Sequence, residues 1–474
     1  MKILKTIALV LLLNLPFTFF GQTYGVDPSF NVGGSGLLGS AIAMLQQTDG
    51  KIIIAGSFIS YNGVGRNNIA RLNADGSLDL SFDPGTGPMA NGNPAAIYSL
   101  AIDADGKILI GGNFTSFRGT LRNCLARLND NGTIDTTFTG TNLFSSVPSV
   151  LSKSVRAIKV ASDGKILIGG SFAATGHSQH HFIRLNADGS YDTGFVYPNN
   201  TFDNLADVRD IQIQPDGKII IGINGVFGTP IMRFNDDGSI DTAFLFSGFY
   251  LVGNKIFIDS DGKILLGGLM ISNDQLYRYN LIKLNSDGSI DATFTAISAS
   301  TGSSSNNSVF GIKQSGNNFL IGGNLNYANN IVNDRIIRVN AVGIADSSFS
   351  VGTGPNSTVY GIDLTNENKV LVAGAFSTIN GVLSRGISRL GNVDLSISTN
   401  SVRAAFYTDG TNYSFESTIP ISSIFVFSIE GKKLHELSAI NNLNFSIPNS
   451  FDHGIKFFKV KFIDGTEKVF KTVD

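Results

Sequence analysis

The sequence predicts an all-β fold, and three observations predict it. Glycine is abundant at 54 of 474 residues while proline is low at 12, against a usual glycine share of about 7%. No stretch sustains the apolar period of a helix. One two-part motif recurs along most of the chain, as in a stacked or radial repeat architecture.

The elements follow in chain order. Lys2 and Lys5 precede an apolar run, Thr6 to Phe20, that is shorter than the ~20 residues a membrane helix needs. Residues 1–21 are therefore expected to be a signal peptide, with cleavage before Gln22 and no transmembrane segment in the mature chain. Cys124 is the only cysteine, so no intramolecular disulfide is available and the core must stabilise the fold. Cys124 reads as a small buried side chain rather than a nucleophile.

The first half of the repeat is a DGK turn, an apolar run and GG or AG. It appears as DGKIIIAGSF from Asp49, DGKILIGGNF from Asp105, DGKILIGGSF from Asp163, DGKIIIGING from Asp216 and DGKILLGGLM from Asp261. Weaker copies start at Ser315 and Asn366. The second half is a basic residue, an apolar residue, Asn, a Gly turn, Asp and Phe, as in RLNADGSLDLSF from Arg71. Further copies start at Arg127, Arg184, Arg233, Lys283 and Arg338. Each unit predicts four strands, a to d. In the second unit these are Tyr98–Ile102, Ile108–Gly112, Asn123–Leu128 and Ile134–Phe138. The a–b and c–d connections are D-G or N-G turns, whose residues tolerate positive φ.

Seven such units predict a seven-bladed β-propeller of four-stranded blades over residues 22–392. The seventh unit stops at SRLGN from Ser388, without strand d. The missing Asp-x-x-Phe stands at the other end of the chain, as Asp27-Pro28-Ser29-Phe30. A ring closed by the N-terminal strand uses this complementarity and leaves no open edge; a solenoid has no use for it.

The DGKILIGGNF and RLNADGSLD patterns resemble the delta-60 repeat family of bacterial β-propellers over residues 25–392. The resemblance implies the fold and secretion, and no established chemistry.

Residues 393–474 lie outside the repeat and read as alternating strands of a small β-sandwich. The segment resembles the C-terminal sorting domain of type IX secretion cargo. The matching positions are Ile424 to Ile429, Gly431 with Lys432, Gly454 to Phe462, and Lys468 to Val473. Where that family carries a Tyr-Pro-Asn-Pro element, this chain has SISTNSVRAAFYTDG from Ser396. The resemblance implies a secreted or cell-surface protein of a Gram-negative bacterium, with the secretion machinery as a partner.

A formal charge of −2 gives no electrostatic footprint for nucleic acid. The repeat region has one glutamate, Glu367, and three histidines, His177, His180 and His181. Glycosidases need two facing carboxylates and serine hydrolases a histidine base. Asp203, Asp207, Asp210 and Asp274, outside the repeat motif, are the first catalytic candidates. The H-x-x-H-H spacing fits no standard zinc site, and the DG turns lack the distal Glu of a calcium loop. No metal and no cofactor is expected.

One basic residue per unit (Arg71, Arg127, Arg184, Arg233, Lys283, Arg338, Arg389) and one acid (Asp27, Asp79, Asp135, Asp192, Asp241, Asp291, Asp346) are expected to pair as a structural bridge. The matching phenylalanines are expected to anchor packing between blades. The d–a and b–c connections vary most in length, and variable loops on a rigid scaffold carry recognition. Their aromatics, Tyr61, Phe117, Phe144, Tyr197, Phe202, Tyr250, Tyr277, Tyr279 and Tyr327, are the candidate ligand-binding residues. The expected function is a monomeric, non-enzymatic binding or adhesion module for glycans or surface proteins. The alternative is a polysaccharide hydrolase or lyase with a pocket on the variable-loop face.

Overall fold

The computed structural model describes residues 22–473 except 141–142, 146–152, 178–179, 199–206, 225–229, 248, 273–277, 299–307, 326, 329–330, 333–334, 347, 393–403, 409–411, 430, 451–454 and 464–466. The expected signal peptide lies outside the described residues. The chain divides into two compact units, residues 1–393 and 394–474. All regular elements among the described residues are strands.

In the larger unit the repeat folds as antiparallel a–b–c meanders. Strand a is Leu37–Gln46, Ile97–Ile102, Ser154–Val160, Asp207–Ile213, Phe249–Ile258, Ser308–Ser315 and Val359–Leu364 in successive repeats. Strand b is Ile52–Tyr61, Ile108–Gly112, Ile166–Ala174, Ile219–Asn224, Ile264–Ser272, Asn318–Asn324 and Val370–Gly374. Strand c runs from Ile69–Leu72 in the first repeat to Ile387–Asn392 in the last. Strand b reads as a continuous apolar run because both of its faces are covered; Ile108 to Gly112 are all buried.

Strand d departs from expectation. It shrinks to a single bridge per repeat, such as Leu128 with Ile134. The reason is local. Asp135 Oδ1 accepts from the Thr137 amide at 3.0 Å and from its hydroxyl at 2.7 Å. This side-chain turn pulls the backbone away from the ladder. At the last repeat the N-terminal strand Gln22–Val26 supplies the missing element, pairing Val26 with Leu390, Gly25 with Gly391 and Tyr24 with Asn392.

The repeated ions tie these pieces together. Arg71 Nε meets Asp79 at 2.7 Å, Arg127 meets Asp135 at 2.7 Å, Arg184 meets Asp192 at 2.7 Å and Arg233 meets Asp241 at 2.8 Å. Arg338 meets Asp346 and Arg389 meets Asp27, both at 2.8 Å. The lysine that ends the a–b turn shares the same carboxylate, as Lys107 with Asp135 at 2.7 Å and Lys369 with Asp27 at 2.9 Å. Lys283 is the exception: it pairs with Asp259 at 2.7 Å and leaves Asp291 to Lys263 at 2.7 Å. A single ammonium cannot span both acids as a guanidinium fork does; Arg127 reaches Asp135 and Asp103 together.

Arg71, Arg127, Arg184, Arg233 and Arg389 also reach into the next repeat. Arg127 Nη1 donates to the Ala187 carbonyl at 2.7 Å and lies over Phe138, 4.8 Å from its centroid. The Phe138 ring sits against Gly189 of that next repeat, where a Cβ would come within 2.7 Å. Arg389 of the last repeat donates to the Ala74 carbonyl of the first at 2.9 Å, and Phe30 packs on Gly76. One core cluster accordingly mixes Ile54 and Leu72 of the first repeat with Leu371 and Ile387 of the last.

The smaller unit is a five-stranded antiparallel sheet of Ala404–Thr408, Asn412–Ser428, Lys433–Pro448, Ile455–Phe462 and Glu467–Val473. The long second strand pairs with Ala404–Thr408 at its start and with Ile455–Phe462 at its end. Tyr413, Phe415, Ile424, Val426 and Phe458 form its core.

Candidate functional site

The site begins with a one-residue slip. The a–b register jumps between Ala41 and Ala43, Ile97 and Ser99, Val155 and Ala157, and Val208 and Asp210. It jumps again between Gly253 and Lys255, Val309 and Gly311, and Val359 and Gly361. A bulge leaves one residue unpaired and re-aims its side chain. The skipped residues are Ile42, Tyr98, Arg156, Arg209, Asn254, Phe310 and Tyr360, and all of them line one cavity. With the neighbouring strand-a residues the cavity reaches about 490 Å³, inside the ~300–1,000 Å³ range of small-ligand clefts.

The GG dipeptide of strand b makes this arrangement possible. A Cβ on Gly170 would strike the Ser154 carbonyl oxygen and come within 3.1 Å of the Arg156 nitrogen. A Cβ on Gly169 would come within 2.5 Å of Val208 Cγ1 in the next repeat. The second glycine thus admits the bulge, and the first admits the neighbouring strand.

One side of the cavity is cationic. Arg156 and Arg209 each bring Nε to 2.8 Å from Asp207 Oδ2, as ion pairs without hydrogen-bond alignment. Burial raises the Asp207 carboxyl above the ordinary carboxylate range, opposed by the two guanidinium groups. The Arg156 guanidinium lies over Tyr98, 4.5 Å from the ring centroid. Lys255 meets Asp210 at 3.0 Å, and Lys159 donates to Gln212 Oε1 at 3.0 Å. Burial lowers the Lys159 ammonium from its ordinary value, against the pull of Asp210. The other side is aromatic: Phe310 and Tyr360 meet edge to face at 5.4 Å. Asn254 stands between the two sides and donates to Ser308 Oγ at 2.7 Å.

Among the described residues, the loop aromatics singled out in the sequence do not meet at a site. Tyr61 is fully buried and its hydroxyl donates to the Gly76 carbonyl at 2.6 Å. Phe117 and Phe144 are buried, and Phe144 packs edge-on to Phe172 at 4.7 Å. Tyr197 is buried, with its hydroxyl 2.6 Å from the Phe182 carbonyl. These four rings fill the core beneath the loops, where apolar area gains more than at the surface, so their faces are closed to a ligand. Tyr279 is half-buried, edge-on to Phe249 at 5.6 Å. Phe202, Tyr277 and the side chains of Tyr250 and Tyr327 lie outside the described residues, as do Asp203 and Asp274.

Asp207 and Asp210 do reach the cavity region, each held by cations. His177 stacks on Tyr191 at 3.6 Å, and His181 is buried with Nδ1 3.3 Å from the Gly170 carbonyl. No group of three metal-ligating side chains occurs among the described residues. Burial pushes the Cys124 thiol up to about 12, opposed by Lys153. Sequence reasoning missed the bulged residues. Their signal was one strand-a position that changes type from repeat to repeat, filled by Ile, Tyr, Arg, Arg, Asn, Phe and Tyr, beside the repeated turn and glycine motifs.

Six of the repeats, at residues 47–82, 104–138, 161–195, 214–244, 260–294 and 367–397, can be compared with known families. They match the β-propeller domain of unknown function DUF5122. This is a family of the delta-60-repeat type, and the chain carries a β-propeller domain. The sixth repeat, which lacks the DGK lysine, lies outside the matched segments. No match is found among curated proteins.

Among solved structures the chain is similar to the extracellular domain of a putative hybrid two component system from B. thetaiotaomicron. Identity is 11%, coverage 95% of this chain and 57% of that one, and TM-score 0.43. It is also similar to PorZ, a surface component of the type-IX secretion system of Porphyromonas gingivalis. There identity is 14%, coverage 92% and 59%, and TM-score 0.42. The chain thus spans less than two thirds of the length of either structure.

Proposed function

We propose that this protein is a secreted or cell-surface, non-enzymatic binding module whose ligand enters the central cavity. Its scaffold is a seven-bladed propeller closed by the N-terminal strand. Its C-terminal unit is a small β-sandwich that acts as the export signal and engages the secretion machinery. The ligand is a glycan or a surface protein, and the propeller works as a monomer.

One observation carries the reading: every repeat bulges at the same strand position and sends one side chain of a different type into a shared cavity. A structural channel has no need of Arg, Asn, Phe and Tyr at one repeat position, whereas a recognition site built on a rigid scaffold does. Asp207 and Asp210 are tied to Arg156, Arg209 and Lys255, which leaves them poorly placed as a free acid–base pair.

A glycan-array screen of the secreted protein, followed by chemical assay of any bound sugar, tests the reading. Retained, uncleaved ligand is expected. Cleavage of the sugar would refute the non-enzymatic assignment. Deleting residues 393–474 should abolish export; normal release of that truncation would refute the sorting role.

A further inference from the structure

We propose that the central cavity binds an acidic sugar, a pyranose ring bearing a carboxylate, with the acid on Arg156 and Arg209 and the ring against Phe310 and Tyr360. This rests on reading the cavity as the binding site and names the ligand class.

The cationic side is built to hold a second carboxylate. Arg156 and Arg209 meet Asp207 through Nε as ion pairs on the same oxygen, Oδ2, without hydrogen-bond alignment. Among the described residues their terminal guanidinium nitrogens make no hydrogen bond. Neighbouring planar forks with free terminal donors match a carboxylate bidentately. Charge favours the same outcome, because Arg156, Lys159, Arg209 and Lys255 line the cavity and outnumber the two carboxylates they face, Asp207 and Asp210.

Both guanidinium groups are pre-positioned. Tyr98 stacks beneath Arg156, and Asp207 is itself buried and fixed in strand a. A preorganised donor pair loses less freedom on binding.

The opposite wall selects what carries the acid. The edge-to-face pair Phe310–Tyr360 gives an aromatic surface for the C–H face of a sugar ring. The amides of Asn254 and Gln212 in the lining suit hydroxyl groups. The cavity volume of about 490 Å³ admits a small ligand or chain end and no folded partner.

Calorimetric titration of the full mature chain with digalacturonate, digalactose and a short peptide with a free C-terminal carboxylate tests the assignment. Digalacturonate is expected to bind, to weaken as salt rises, and to exceed digalactose by roughly tenfold or more. Arg156→Gln and Arg209→Gln should each remove most of that margin, and Tyr360→Ala should weaken binding of the sugar ring. Asn254→Asp adds a negative charge without removing either arginine, and keeps the test open if those variants fold poorly. It should lower digalacturonate affinity by several-fold more than it lowers digalactose affinity.

Equal binding of the neutral and acidic sugars would overturn the acid assignment and leave a sugar site. Binding of the peptide alone would overturn the sugar assignment and leave a binding cavity. Absence of binding by all three would overturn the inference, while retained, uncleaved glycans on the array would still uphold a non-enzymatic binding module.

Discussion

Asp27→Ala strikes the lock between the two ends of the repeat region. Asp27 Oδ2 receives Arg389 Nε at 2.8 Å and Lys369 Nζ at 2.9 Å, and Oδ1 receives the Ser29 amide at 2.9 Å and its hydroxyl at 2.6 Å. Asp27 is 9% exposed, so its removal leaves Arg389 in a largely desolvated site. Breaking such a pair costs about 3–5 kcal/mol, and the exposure of Lys369 places this case at the lower end. An unfolding entropy of about 2.1 cal/mol/K per residue over roughly 370 residues turns 3 kcal/mol into a Tm drop of about 4 °C.

The pH dependence has a definite sign. Burial opposes ionisation of Asp27, yet the hydrogen bonds from Ser29 and Lys369 and the charge of Arg389 hold its carboxyl well below the ordinary range. Its stabilisation is therefore complete above about pH 4, where an unfolded aspartate is ionised. It is lost as pH falls toward the folded value. Thermal scans should show the full gap between wild type and Asp27→Ala at pH 7 and a smaller gap at pH 3. Hydrogen exchange should show fraying of Tyr24–Val26 in the variant. A Tm unchanged at pH 7, or a gap that widens in acid, would refute the reasoning.

Three further outcomes are expected. Gly170→Ala drives a methyl into the Ser154 carbonyl and should cost about 1–3 kcal/mol in denaturant unfolding, whereas Gly65→Ala, with open space around it, should stay within about 0.5 kcal/mol. Arg184→Lys keeps the charge and loses the fork that joins Asp192 to the next repeat, a loss of about 1.5–3 kcal/mol. Adding Ala161→Asp should restore part of it, by supplying the acid that Lys283 finds in Asp259. Cys124, buried and with its thiol raised to about 12, should resist a thiol reagent at pH 8 until the protein is denatured; rapid labelling of the native chain would contradict its burial.

Much of the scaffold was legible because turn chemistry repeats. Each DG or NG turn fixed where strands a, b and c start and stop, and Gly106 and Gly132 take the positive φ, 77° and 85°, that those turns require. The Arg–Asp pairing was legible because both residues recur at constant spacing, and it failed only at Lys283, where the fork is gone. Strand d was overestimated, since Asp135 looked like a strand residue while its side chain makes a turn. The cavity residues stayed hidden for a different reason. A bulge flips a side chain out of strict alternation, so period-two reasoning assigned Arg156 and Arg209 no special direction. The loop aromatics misled because an aromatic between strands is as useful beneath a loop as above it. Tyr61 and Tyr197 satisfy their hydroxyls on buried carbonyls.

The most direct test uses the chain's lack of tryptophan. Tyr98→Trp places a sole indole beside Arg156 in the central cavity, and Tyr279→Trp places one in the loop region. Each full-length variant is titrated with digalacturonate while tryptophan emission is followed. The account predicts a saturable emission change in Tyr98→Trp and none in Tyr279→Trp. A change confined to Tyr279→Trp would move recognition to the loops and contradict the central-cavity account.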